Sequence, residues 1–113
     1  MESILTSIKK QLGITEEYTP FDDIIIAHIN SVFINLAQIG VGPSDGFVIS
    51  DEKATWNDFV YDSSSFRVEW LQTYVYLQVK LVFDPPTGSV LDSYKRRIDE
   101  LEWRLNLAVE SSE

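Results

Sequence analysis

Cysteine is missing from the 113 residues, so no disulfide can form and no thiolate is available for catalysis or metal binding. Histidine occurs once, as His28 among Ile24, Ile25 and Val32, and with no cysteine and no second histidine a zinc site has no ligand set. The spacing reads His28 as a half-buried structural residue. Basic residues are scarce, nine against eighteen acidic ones, and the net charge is −9. A chain so charged repels phosphate backbones, which excludes neutralising contacts to DNA as its main business. No apolar run reaches the ~20 residues of a membrane span. The first dozen residues carry Lys9 and Lys10 but neither a long apolar stretch nor a small-residue cleavage site. The expectation is a soluble intracellular protein without a membrane partner.

Catalytic signatures are missing too. The sequence holds no nucleophile elbow, P-loop, dinucleotide fingerprint or EF-hand loop. Asp22 with Asp23, and Asp99 with Glu100, are adjacent carboxylates, but neighbours on a helix point about 100° apart and do not converge on one substrate atom. They read as helix-start acids and a solvated face. No enzyme activity, catalytic residue, metal or cofactor is expected.

What is present is core material. Hydrophobic residues make up 44% and aromatics 12%, enough for one packed core in one domain over residues 1–113. Ile4, Leu5, Ile8 and Leu12 fall on one side of a helix over about 2–12, with Gly13 where a C-terminal cap belongs. Thr19 and Pro20 predict a second helix over about 20–39, whose Ile25, Ile29, Val32, Phe33 and Leu36 recur at helical spacing until Gly40. Residues 65–83 fit both a strand and a helix, but nineteen positions without Gly or Pro are too long for a strand, which predicts a central buried helix. Pro85 and Pro86 then force a corner, and a fourth helix runs over about 89–110 with Leu91, Tyr94, Ile98, Leu101, Leu105 and Ala108 as a heptad seam. Within it Asp92 to Arg96 and Glu100 to Arg104 are acid-first pairs one turn apart, and Lys95, Arg96 and Arg97 read as an ion-paired surface. The fold class expected is all-α, a compact bundle of four helices. Residues 40–64, broken by glycines and Pro43, form a long loop or short β-hairpin between helices 2 and 3, with Phe47-Val48-Ile49 as a short strand and Thr55 capping a single turn that carries Trp56, Phe59 and Val60.

The order of pieces, "DDIIIAHINSVFINLAQIGVG", then "FVISDEKATWNDF", "YVYLQVKLVFDPP" and "LEWRLN", resembles the small head–tail connector (head-completion adaptor) proteins of tailed bacteriophages, the gp6-like family, over nearly the whole chain. The resemblance implies a structural virion protein that forms a homo-oligomeric ring under the portal protein, lets DNA pass through its channel without specific binding, and offers a platform to a tail-completion or stopper protein. It places the protein at the head–tail interface of the virion, and in the host bacterial cytoplasm during assembly. A ring subunit needs a rigid body plus protruding contact elements. The loop supplies Gly40, Gly42, Phe47, Val48, Ile49, Trp56 and Phe59 as candidate contacts between subunits. On the last helix Trp103 falls opposite the seam with Leu107 one turn on, a candidate docking patch for portal or neighbour. Two other readings stay open: an acidic DNA-mimic inhibitor protein of a phage or prophage, and a small helical adaptor that dimerises through the fourth-helix seam.

Overall fold

The computed structural model describes residues 2–43, 45–60 and 68–111. Five helices form among them: α1 Ile4–Gln11, α2 Asp22–Gln38, α3 Trp56–Val60, α4 Val68–Phe83 and α5 Gly88–Ser111. The fold is all-helical as expected, with one helix more than the four read from the sequence. No hairpin joins α2 to α4 among the described residues, where the one β pairing is an isolated bridge between Ser3 and Thr55. Residues 61–64 of the expected loop and 65–67 of the expected third helix lie outside the described residues.

Local chemistry explains where each rod starts and stops. Ser3 Oγ accepts the Thr6 N–H at 3.2 Å and opens α1. Gly13, with φ 82°, closes it: the Gly13 N–H reaches the Lys10 carbonyl and the Ile14 N–H the Lys9 carbonyl, a Schellman end. Gly40, with φ 83°, closes α2 in the same way, through Gly40 N–H to Ala37 and Val41 N–H to Leu36. The start of α2 differs from expectation. Thr19 and Pro20 do not cap it; the Thr19 carbonyl accepts the Asp22 N–H in a turn, and Phe21 takes the cap position without a side-chain hydrogen bond. Phe21 instead packs its ring against Tyr18 and Phe83, at centroid distances of 5.6 and 5.4 Å.

The α3 turn carries the Thr55 cap expected of it, and Asp58 makes that cap reciprocal. The Asp58 N–H donates to Thr55 Oγ1 at 3.3 Å, and the Thr55 N–H donates to Asp58 Oδ2 at 2.9 Å. Helix α4 is the centre of the molecule. It packs against α1, α2 and α5, and buries Leu71, Tyr74, Val75, Leu77 and Val79. Burial on several sides explains why its apolar residues are spread around the helix instead of forming one stripe. At the proline corner α4 ends on Phe83, and Lys80 Nζ pairs with Asp84 Oδ2 at 2.8 Å just beyond its last turn. The chain then returns as α5, whose Ile98, Leu101 and Leu105 are buried against the body while Leu91 and Tyr94 are half-buried. The Ile98, Leu101 and Leu105 part of the heptad seam is therefore spent inside the molecule.

Candidate interaction surfaces

Residues 41–43 and 45–60 are clamped to the helices by three devices. The first is Asn30 on α2. Its Nδ2 donates to the Ile49 carbonyl at 2.9 Å, and its Oδ1 accepts the Ile49 N–H at 2.8 Å. One side-chain amide thus satisfies both backbone groups of a single residue, as a neighbouring strand would. The second is a ring cluster: Phe33 stacks on Phe59 at 4.9 Å, and Phe47 meets both edge-on, at 5.5 and 5.2 Å. Gly42 passes so close that an added Cβ would sit 2.5 Å from Phe59 Cζ, and its φ of 99° independently favours glycine. The third is Trp56, fully buried, whose Nε1–H donates to Ser7 Oγ at 2.7 Å.

These contacts sort the candidate loop residues. Ile49, Trp56 and Phe59 face the chain's own core and touch their own subunit, a correction to the expectation that they protrude toward another. Phe47 is half-buried, and Gly40 and Gly42 shape the chain path. Val48 points outward with 68% of its surface exposed. It borders an open groove of 460 Å³, whose floor and far wall include Phe33, Ile34 and Ala37 of α2. Ile34 is itself exposed.

A further anchor gives no sign of itself in the sequence. Lys9 on α1 is 2% exposed, and its Nζ donates to the carbonyls of Glu16 at 3.0 Å and Tyr18 at 2.7 Å. Asp22 Oδ1 lies 2.8 Å from the same nitrogen, an ion pair outside good hydrogen-bond angles. A buried ammonium needs acceptors on every side, and here it fastens α1, the connecting turn and the start of α2 together. Lysine at helical spacing reads as a surface residue, and Asn30 reads as one polar residue on an amphipathic helix. Neither pairing leaves a local signal.

On α5, Trp103 is 62% exposed and Leu107 also faces outward. Asp99, Glu102, Trp103 and Asn106 follow the i, i+3, i+4, i+7 spacing of one helix face and, with Ile39 at the end of α2, line an open groove of 320 Å³. Asn106 Nδ2 donates to the Ile39 carbonyl at 3.3 Å, and Glu102 Oε2 accepts the Tyr74 hydroxyl at 2.8 Å. Burial pushes the Tyr74 phenol up to about 12. Around the helix, Glu100 Oε1 takes both Arg97 and Arg104 at 3.0 Å, and the hydrogen bond from Arg104 holds its carboxyl below the usual range. Arg104 also lies 5.7 Å from the Trp70 ring centroid. The Glu100–Arg104 pair read from the sequence forms, whereas Arg96 turns to Ser93 Oγ at 3.4 Å rather than to Asp92. His28 is half-buried, and among the described residues no group of histidines and carboxylates could hold a metal ion. No helix among them is long and apolar enough to cross a membrane.

The sequence profile of the family described as phage connector protein matches residues 4–112, from the first residue of α1 to one past the last of α5. The chain belongs to the phage connector protein family. A connector is a structural component of the virion, with a head–tail connecting role exercised through assembly with other virion proteins. Comparison with curated proteins and with solved structures gives no match. In this connector, then, the described part of the middle segment packs on the helical body, and the large apolar side chains left exposed include Val48 with Ile34, and Trp103 with Leu107, beside Tyr18, Phe21, Ile24, Val82 and Val90 elsewhere.

Proposed function

We propose that this connector assembles as a ring beneath the portal, continues the DNA channel out of the capsid, and presents a platform to the tail or to a stopper protein. The observation that carries the reading is the family match across the whole helical body. The structure adds supporting features. A ring subunit must keep its shape while neighbours press on it, and Lys9, Asn30 and Trp56 fasten every connecting segment they touch. Heterologous contacts close a ring only if each copy offers two different surfaces, and the Val48 and Trp103 regions are chemically distinct. Of these, the Trp103 region is the one we assign to docking on the portal or an adjacent virion protein. A net charge of −9 suits a channel past which DNA slides without sticking.

Electron microscopy of the purified protein mixed with the portal complex of the same phage tests the proposal. Ring-shaped density stacked on the portal is the expected result. A two-fold dimer that persists on dilution, with no larger species when portal is added, would sink it. The channel idea has its own test, since reversing the charge of lumen-facing acids should slow DNA ejection, and unchanged ejection counts against it.

A further inference from the structure

The groove around Trp103 has a composition that names its occupant, an inference that rests on the docking role just assigned to this face. Along its wall stand the Asp99 carboxylate, which makes no ion pair or hydrogen bond among the described residues, and the Glu102 carboxylate, one of whose oxygens is taken by Tyr74. Asn106 spends one N–H of its amide on the Ile39 carbonyl, which leaves its oxygen as an acceptor. Apart from the indole N–H and the second N–H of Asn106, the polar groups left over are acceptors, two of them negatively charged, beside an exposed indole face. A donor-only, planar, positively charged group satisfies all of them at once: its fork of N–H groups meets the carboxylates while its flat face lies on the indole. No cation among the described residues fills the place, since Arg104 is engaged by Glu100 and Trp70.

We propose that this groove is the seat for an arginine side chain of another protein of the virion, with Trp103 as the stacking surface and Asp99 as the charged acceptor. Leu107, one turn on, extends the apolar contact beyond the guanidinium. A second copy of this chain is the less suitable donor, because copies of net charge −9 repel one another on approach.

The test uses connector-free capsids that carry the portal of the same phage, and measures binding of the purified full-length protein. Trp103→Ala should weaken binding on the order of 30-fold, as loss of a buried aromatic anchor does. Asp99→Asn should weaken it about tenfold and flatten its dependence on salt, a change that loss of shape alone would not produce. Asp92→Asn, on the same helix outside the groove, should bind as the wild type does, and all three variants should melt with it because the side chains are exposed. Wild-type protein that does not bind these capsids overturns both the connector reading and the arginine seat. Wild-type binding matched by Trp103→Ala and Asp99→Asn overturns the arginine seat alone.

Discussion

Single side chains decide more of this structure than their number suggests. Asn30 joins residues nineteen positions apart by two hydrogen bonds to the backbone of one residue, Ile49. Asn30→Ala leaves both Ile49 groups without partners, and the expected cost is about 2–3 kcal/mol of stability, read from the midpoint of chemical denaturation. A midpoint unchanged from wild type would show that water replaces the amide without loss. Tyr74 makes a second case, through titration. Its phenol is protonated in both folded and unfolded chains below pH 10. Between pH 10 and about 12 the unfolded chain has lost that proton and the folded one has not, so stability falls as pH rises through this window. The loss from this one residue is at most about 3 kcal/mol. Tyr76, raised to about 12 by burial and by its hydrogen bond with Tyr94, acts in the same direction. Denaturation midpoints across the alkaline range should therefore drop less steeply in Tyr74→Phe than in wild type, and equal slopes would refute the assignment. Neither residue announces itself in the sequence. An asparagine on a helix and a tyrosine in an apolar run acquire their roles from partners far along the chain.

Among the elements, what was legible is what local chemistry controls. Gly13 and Gly40 mark helix ends because only a residue at ease with positive φ can turn the chain there, and both sit where the apolar periodicity stops. Thr55 marks the start of α3 for the same local reason, and the proline pair marks the end of α4. The start of α2 was misread because Thr19 and Pro20 have the composition of a cap, while the position is settled by the Phe21 ring finding Tyr18 and Phe83, a contact with the far end of α4. The middle segment was misread more seriously. Its length and its glycines suggest protrusion, yet Ile49, Trp56 and Phe59 complete the core. The candidate site was legible only on α5, where an exposed Trp breaks a regular seam and can be seen from spacing alone. Hydrogen exchange makes the distinction measurable. The Ile49 amide should exchange at rates typical of the α2 interior, whereas the Val48 amide, which has no partner among the described residues, should exchange quickly. Fast exchange at both would mean that the segment opens independently of the helices.

For the molecule as a whole, charge sets the terms of assembly. Copies carrying −9 repel over a Debye length of about 30 Å at 0.01 M salt and about 8 Å at 0.15 M. Association between identical copies should therefore strengthen as salt is added, while capture of an arginine at Trp103 should weaken. Sedimentation velocity across a salt series reads the first effect, and oligomers that dissociate as salt rises would show that copies are held by ion pairs instead.

The buried Lys9 ammonium implies an unusual tolerance to cutting. It grips the carbonyls of Glu16 and Tyr18, which lie on opposite sides of the bond that follows the exposed Glu17. A glutamyl endopeptidase that severs that bond would leave both new ends in the grasp of one nitrogen. The two pieces should separate on a denaturing gel yet travel together through a sizing column.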